Sequence, residues 1–192
     1  MPFPVLTSSL GQLHRIAAGV ADGQLDAPTP CSEWTVAQVL LHAAGDQHAW
    51  AAAVGSAAPP AYNPFAPPRR PVGDLGKLIT DAIDAAATAW AGVDPAAGTV
   101  PTPLPPVPAL APELAAAACA LDAAVHAWDV AVATGQPSPL TGQLAARLEP
   151  AARATVEPLR GFAYAAPLPA RHGDDPAAAL LRYLGRDPGW TA

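Results

Sequence analysis

Positive charge is scarce in this chain. Lys77 is the only lysine, the arginines are scattered along the sequence, and the formal net charge is −6 at pH 7. Because proteins that bind nucleic acid or anionic membrane surfaces need clustered Lys and Arg side chains, the composition predicts neither kind of partner. The sequence also has no uninterrupted run of about 18 apolar residues, so it predicts no membrane-spanning helix.

Cysteine is equally scarce. Cys31 and Cys119 are the only two cysteines, which is too few for a disulfide framework. The N-terminal residues contain neither the basic region nor the apolar region of a secretory signal peptide. Together these two absences predict a reduced protein that works in the cytoplasm.

Apolar residues, in contrast, are abundant and follow a helical period. Hydrophobic residues make up 51% of the 192 residues and charged residues 14%, so we expect one domain over 1–192 with a sizeable core. β-branched residues are sparse and no alternating pattern occurs, so no strand is predicted. Apolar spacing and capping residues predict helices over 6–20, 36–53, 75–90, 112–134, 141–148 and 176–184.

The first four of these helices predict an all-α four-helix bundle over about 5–135. A short C-terminal helical appendage over about 138–192 follows, in which Pro150 interrupts the fifth helix, with a resumption of the helix towards Val156 left open. Two proline-rich stretches, 55–73 and 93–108, break the helical pattern and are predicted to be irregular. We expect these two loops to shape the mouth of a cavity, where substrate choice is made.

Three residues offer the most specific chemistry in the chain: His42, Asp122 and His126. Asp122 and His126 are four residues apart in the fourth predicted helix, so their side chains project from one face about a turn apart. If the second helix packs beside it, His42 joins them, and two imidazoles and a carboxylate converge on one divalent ion. Such a three-ligand set with an open position is typical of catalytic metal sites. The alternative is an ordinary i,i+4 pair on a solvated face, with His42 as a core histidine.

Two further carboxylates lie close to these residues in the sequence. Asp129 is three residues after His126 and is predicted to accept a hydrogen bond that orients an imidazole, with a salt bridge or loop cap as the alternative. Asp46 is one helical turn after His42 and is predicted to help as a base, unless it faces water. Asp46 and Asp129 are therefore the candidate catalytic residues.

The remaining cysteines and histidines are assigned no chemistry. Cys119 shares the face of Asp122 but is a small residue typical of a core, with metal ligation as its alternative. Cys31 is expected to pack in the loop before the second helix. His48 is six residues after His42, which is a poor spacing for a shared ligand set. The other two histidines are expected at the surface, His14 and His172.

Three motifs resemble a known family, in the order in which that family has them. The motifs are Ala27-Pro-Thr-Pro-Cys-Ser-Glu-Trp-Thr-Val36 with Leu40-Leu-His42, then Val125-His-Ala-Trp-Asp129 with Ala133-Thr-Gly135, and finally Leu180-Leu-Arg-Tyr-Leu-Gly-Arg-Asp-Pro188. They are similar to motifs of the metal-binding domain of mycothiol-dependent maleylpyruvate isomerases, and the chain looks like a short actinobacterial member. The resemblance implies a DinB-like four-helix bundle.

The resemblance also implies a divalent metal, commonly zinc, held by His42, Asp122 and His126. Thiol-dependent relatives use the open metal position to activate the thiolate of the cofactor, so mycothiol is an implied second cofactor. The chain departs from the family pattern at two positions. Relatives often have Glu where Asp122 stands, and they usually have Gly where Ala127 stands.

These features together predict a metal-dependent enzyme that acts on a small molecule, most like a thiol-dependent isomerase or S-transferase. One alternative is an enzyme of specialised metabolism that catalyses a thiol-independent cyclisation, elimination or rearrangement. Another is a non-catalytic protein that binds a metal or a small ligand, because a fold alone does not define a function. The sequence leaves a homodimer open as its assembly and does not identify the substrate.

Overall fold

Most of the chain is helical. The computed structural model describes residues 2–55 and 57–192. Within these residues the helices are α1 (Pro4–Ala18), α2 (Val36–Val54), α3 (Leu75–Ala91), α4 (Pro112–Thr134), α5 (Gly142–Thr155) and α6 (Pro176–Tyr183). The remaining regular elements are two 3₁₀ turns, Asp22–Gln24 and Glu157–Leu159, and a two-stranded antiparallel ladder of β1 (Val100–Pro101) and β2 (Ala109–Leu110).

The helices α1 to α4 form a four-helix bundle. α1 packs against α3 and α4, and α2 packs against the same two helices, so the four axes enclose one apolar core. Its largest side chains include Trp50, Trp90 and Phe3, and the Phe3 ring meets Trp90 edge-on at 5.3 Å between centroids. α5 packs on α4, and α6 packs on α5. The predicted all-α, DinB-like bundle with a C-terminal helical extension is therefore confirmed.

α4 is the most apolar helix of the bundle. By length and composition it is able to cross a membrane, but 89% of its most apolar window is buried inside the protein. Most of its buried positions are alanine. Because small side chains let neighbouring helices approach closely, α2 and α4 come near enough for their longer side chains to meet.

Helix caps appear where the sequence predicts them. The backbone N–H of Gln38 donates to Oγ1 of Thr35 at 3.4 Å, which is part of the predicted capping box at the start of α2. Oδ1 of Asp175 accepts from the N–H of Ala178 at 2.8 Å at the start of α6. α4 ends at Gly135, whose φ of +72° is a conformation that glycine adopts without steric cost.

Three local predictions are wrong. α1 ends at Ala18, so Val20 lies beyond the helix. α5 continues through Pro150 without an interruption. Pro150 has no N–H to donate to the carbonyl of Ala146, but both residues are exposed, so that carbonyl faces water, while the neighbouring Leu148 is buried. A small ladder forms where no strand was predicted, since two residues a strand are too few to show alternation.

Candidate metal centre

His42 of α2 and the pair Asp122 and His126 of α4 converge between the two helices. The Nε2 atoms of His42 and His126 each lie 3.3 Å from Oδ1 of Asp122. The two imidazole centroids are 4.6 Å apart, and the ring planes are nearly perpendicular, at 80°. One potential ligand atom from each of the three residues lies within 4.8 Å of the other two. The packing of α2 on α4 thus brings together two nitrogens and one oxygen.

Both imidazoles are anchored at Nδ1. Nδ1 of His42 is 2.8 Å from the carbonyl oxygen of Pro64, and Nδ1 of His126 is 2.9 Å from Oδ2 of Asp129. When both rings are neutral, as metal binding requires, a proton on each Nδ1 satisfies these two acceptors and leaves the lone pair of each Nε2 facing Asp122. Histidines that bind metals almost always have such a partner on the other ring nitrogen.

The second oxygen of Asp122 is also supported. Nε2 of Gln47 is 3.4 Å from Oδ2 of Asp122, and Sγ of Cys119 donates to Oε1 of Gln47 at 3.1 Å. Gln47 and Cys119 are both fully buried. Cys119 therefore acts on Asp122 only through Gln47, and it belongs to neither group of potential ligands found among the described residues.

Asp129 is held by an arginine for which sequence reasoning found no role. Arg186 follows α6 and donates from Nε to Oδ1 and from Nη2 to Oδ2 of Asp129, both at 2.9 Å. Asp129 is fully buried, so this bidentate pair satisfies a carboxylate that water does not reach. Asp129 contacts His126 with the same carboxylate, and it therefore connects the C-terminal appendage to α4. The third motif, 180–188, contains Arg186 and was the only sequence signal for it.

Neighbouring charges determine how the site is protonated. Burial alone raises the pKa of Asp122, but the charge of His126 and hydrogen bonds from both imidazoles outweigh it and leave that pKa well below its usual range. Burial opposes the charged form of His126, yet Asp122 and the hydrogen bond to Asp129 raise its pKa well above the usual value. For Asp46, burial first and the charge of Asp122 second raise the pKa. Without a cation, these shifts favour the ionised form of Asp122 and the protonated form of His126, and they disfavour the ionised form of Asp46.

These residues open onto a cavity of about 480 Å³. Asp46 lines it beside the three converging residues. The two predicted mouth loops contribute one lining residue each, Phe65 from 55–73 and Leu104 from 93–108. The first loop is irregular as predicted, apart from position 56, which lies outside the described residues. The largest share of the lining comes instead from 155–186 in the C-terminal appendage.

Two aromatic residues of this appendage were missed by sequence reasoning. Phe162 and Tyr164 line the cavity from an irregular segment between α5 and α6. Burial is the main cause that raises the pKa of Tyr164 to about 12, so its hydroxyl keeps its proton at physiological pH. No helical period relates these positions to α2 or α4, and no pattern in the sequence therefore pointed to them.

The matched family is that described as the mycothiol maleylpyruvate isomerase N-terminal domain, and the match covers residues 6–131, about two thirds of the chain. The chain belongs to this family. It is thus a member of a metal-binding, mycothiol-linked family. No curated protein and no solved structure matches the chain. The match contains all three converging residues, whereas Arg186 and the cavity wall from 155–186 lie outside it.

The donor set fits the divalent metal that membership of the family implies. Zinc bonds of about 2.0–2.1 Å to histidine nitrogen and carboxylate oxygen place two tetrahedral ligands about 3.3 Å apart. This is the separation of each Nε2 from Oδ1 of Asp122. All three residues also line the cavity. The arrangement therefore leaves room for a further ligand from the cavity.

A second group of potential ligands consists of Cys31, His126 and Asp129. Sγ of Cys31 donates to Oδ2 of Asp129 at 3.2 Å, and Nη2 of Arg186 is 3.4 Å from the same sulfur. The guanidinium already supplies the positive charge that this group can accept, so a second cation is disfavoured there. Cys31 packs against the core as predicted, and it also lines the cavity.

The other histidines lie apart from this centre. His14 and His172 are exposed, as predicted, and His48 is half-buried. None of the three joins a group of potential ligands within the described part of the chain.

Proposed function

We propose that this protein is a metal-dependent enzyme acting on a small molecule, with His42, Asp122 and His126 as the ligands of one divalent ion. Zinc is the first candidate for that ion. The observation that carries the proposal is the pair of imidazoles whose Nδ1 atoms are anchored and whose Nε2 atoms both face Asp122 at 3.3 Å. Rings held in this way are prepared for coordination before the ion arrives.

The ion and the protein supply different parts of the chemistry. A divalent ion at this position supplies Lewis-acid chemistry, since it stabilises negative charge on the ligand atom that reaches it from the cavity. Burial and the charge of Asp122 raise the pKa of the Asp46 carboxyl, Tyr164 holds a proton on its hydroxyl, and both residues line the same cavity. Asp46 is therefore the acid–base group of the proposal, in line with the base suggested by the sequence.

The reaction class we propose is a thiol-dependent isomerisation or S-transfer, with mycothiol as the thiol. Membership of a mycothiol-linked family supports this choice. A carboxyl group that both takes and gives a proton, beside a protonated tyrosine hydroxyl and a Lewis-acid position, also suits isomerisation, in which a proton leaves one atom of the substrate and returns at another. The cavity of about 480 Å³ is in the size range of small-molecule sites.

Metal content and zinc affinity test the ligand assignment. We expect about one zinc ion per chain, and we expect His42→Ala and His126→Ala each to weaken zinc binding at least about 100-fold, because removal of a supporting residue alone costs 10–100-fold. His14→Ala is the matched control, since this histidine is exposed and lies outside the centre. Its zinc affinity should equal that of the wild type. Equal affinities in all four proteins, measured by isothermal titration calorimetry, contradict the proposal.

Turnover measurements then separate the reaction classes. With zinc bound, we expect isomerisation or S-transfer only when mycothiol is added, and we expect Asp46→Asn to lose turnover while it keeps zinc. Turnover without any thiol supports the alternative of a cyclisation, elimination or rearrangement. Zinc binding without turnover of any candidate substrate supports the non-catalytic alternative.

A further inference from the structure

We infer that the ligand of this cavity has one polar end that reaches the ion and an uncharged, apolar, planar body, and that it is not a dicarboxylate. Only the statement about the polar end rests on the proposed function. The nature of the body follows from the charges and rings of the cavity wall.

The wall has no free cation for a second carboxylate. All ten lysines and arginines lie within the described residues, and only Arg186 lines the cavity. Its guanidinium is bound to the buried carboxylate of Asp129 by two hydrogen bonds of 2.9 Å, so its charge is already compensated. A second anionic group of a ligand therefore loses its hydration in the cavity without forming an ion pair, and this desolvation costs free energy.

The other charged groups of the wall, apart from the two histidines, are acidic. Glu33, Asp46 and Asp122 all line the cavity. Asp122 serves the ion in the proposed function, and Glu33 is exposed in the loop before α2. A ligand carboxylate placed away from the ion therefore meets acidic side chains and no uncompensated lysine or arginine, which disfavours its binding.

Three aromatic side chains line the cavity next to His42 and along one another, and we call them the aromatic wall: Trp34, Phe65 and Phe162. The Trp34 and Phe65 rings lie 4.7 Å and 5.7 Å from the His42 ring, between centroids. The Phe162 ring lies 4.9 Å from the Phe65 ring. The rings thus run from the proposed metal ligand His42 towards the segment between α5 and α6, and all three line the cavity.

Phe162 leaves an apolar face for a ligand to cover. Its side chain is 64% exposed although it contacts Phe65, and the other exposed large hydrophobic residue among those described, Val72, lies outside the cavity. A flat, uncharged ring placed against the aromatic wall buries this surface and gains offset or edge-on ring contacts. The three rings come from three different segments, so the surface exists only in the folded protein.

Three hydroxamic acids on the zinc-loaded protein test this inference. 4-Carbamoylbenzohydroxamic acid and 4-carboxybenzohydroxamic acid share a metal-binding end and a ring, and they differ in one charge at nearly equal size. Acetohydroxamic acid has the same end without the ring. We expect the carboxy compound to bind at least about tenfold more weakly than the carbamoyl compound, and the acetyl compound about three- to tenfold more weakly, by calorimetry.

Variants of the aromatic wall separate ring contacts from metal binding. Phe162→Ala should reduce the advantage of the carbamoyl compound over acetohydroxamic acid by about threefold or more. Val72→Ala is the matched control, since it also removes an exposed apolar side chain but outside the cavity. It should leave all three affinities unchanged. An equal effect of the two variants contradicts the role given to Phe162.

A readout on the metal-free protein keeps the two proposals distinguishable. NMR shifts of the Trp34 indole N–H, assigned with Trp34→Phe, report contact of a ring with the aromatic wall without the ion. Larger shifts with the carbamoyl compound than with the carboxy compound support the inference even if zinc fails to bind, which overturns only the proposed function. The inference is overturned if the carboxy compound binds the zinc-loaded protein as tightly as the carbamoyl compound or more tightly. It is also overturned if the carboxy compound gives the larger shifts on the metal-free protein. Neither result contradicts the proposed metal centre.

Discussion

Asp122 and Asp129 flank His126 on its two ring nitrogens, and their different surroundings give them different tasks. Asp122 faces Nε2, and the side chain of Asp122 remains 14% exposed on the cavity side. Asp129 faces Nδ1 and is fully buried against Arg186. A carboxylate whose charge is compensated orients the imidazole, whereas one that opens to the cavity is free to bind an ion. The Ala-rich packing of α4 on α2 lets Asp122 reach both imidazoles.

Removal of the Arg186 guanidinium should affect both stability and metal binding. Arg186→Met leaves the buried Asp129 carboxylate without its bidentate partner, and we expect a loss of about 3–5 kcal/mol in the free energy of unfolding. Zinc affinity should fall about 10–100-fold because His126 loses a well-positioned acceptor. Urea unfolding at pH 7 and calorimetry measure the two effects.

The control for this variant is Arg153→Met. Arg153 pairs with Glu149 at 3.2 Å on the exposed surface of α5 and stacks on the Tyr183 ring at 4.0 Å. Loss of the ion pair costs about 0–1 kcal/mol and loss of the exposed ring contact about 0.5–1 kcal/mol. Its zinc affinity should not change. If Arg186→Met is as stable as Arg153→Met and binds zinc like the wild type, Arg186 does not position the centre.

The same carboxylate predicts sensitivity to acid. Burial alone raises the pKa of Asp129, but the charge of Arg186 and hydrogen bonds from His126 and Arg186 outweigh it and lower the pKa below its usual 3.8. The unfolded chain therefore binds this proton more tightly than the folded protein does. Ionised Asp129 contributes stability that is fully present above about pH 4 and is lost as the pH falls through the lower folded pKa.

We expect the free energy of unfolding of the metal-free protein to decrease as the pH is lowered below about 4. The decrease should be smaller in Arg186→Met, because the pKa of Asp129 then lies nearer its unfolded value. Urea unfolding at a series of pH values measures both slopes. Parallel pH profiles for the two proteins would contradict the coupling between Asp129 and Arg186.

At the scale of elements, the end of α6 places Arg186. Gly185 follows the helix with a φ of +81°, in the left-handed region where other residues are strained. A Cβ at this position would lie 2.9 Å from Cβ of Ala165 and 3.0 Å from the carbonyl oxygen of Ala166. Because Gly185 has no side chain, the segment that contains Tyr164 packs directly against the end of α6. This contact positions that part of the cavity wall next to Arg186.

Gly185→Ala should therefore be more harmful than a glycine substitution of the same backbone type elsewhere. Gly173 has a φ of +90° and no atom within 4 Å of the corresponding Cβ. We expect Gly173→Ala to cost about 1–2 kcal/mol of stability from backbone strain alone. Gly185→Ala adds a steric clash, so it should cost more and should also weaken zinc binding, as measured by urea unfolding and calorimetry. Equal costs, with zinc affinity unchanged in both variants, count against this role of Gly185.

At the scale of the whole molecule, the apolar core and the proposed ion contribute separately to stability. The core includes Trp50, Trp90 and Phe3 and encloses side chains of all four bundle helices. The proposed ion links only α2 and α4. We therefore expect the fold to persist without metal and to gain stability when metal binds.

Chelation and addition of zinc test this separation. Zinc at 100 times its dissociation constant should stabilise the wild type by about 2.7 kcal/mol, which is about 5–10 °C in Tm for a chain of this size. The helical far-UV circular dichroism signal should be the same with and without zinc. The His42→Ala/His126→Ala double variant should show no shift of Tm. Loss of helix on chelation, or an equal shift in the double variant, contradicts the expectation.

Features that depend on neighbouring residues could be predicted from the sequence. The four-residue spacing of Asp122 and His126 places both on one helix face, and the Thr35 cap marks the start of α2. Both follow from the geometry of a single helix, which a local period reveals. The path of α5 through Pro150 could not be read in this way, because burial against the rest of the protein outweighs the local preference of proline.

Residues that act across long separations were decided only by the tertiary structure. The carbonyl of Pro64 that anchors His42 is 22 residues away from it, and Arg186 is 57 residues from Asp129. The sequence by itself determined the helices of the bundle and the shared face of Asp122 and His126, because apolar periodicity and residue spacing encode them locally. The packing of α2 on α4, which brings His42 to that pair, was decided by the tertiary structure. The anchors of the imidazoles and the aromatic wall of the cavity depend on how loops and the appendage pack, and no local pattern carries that information.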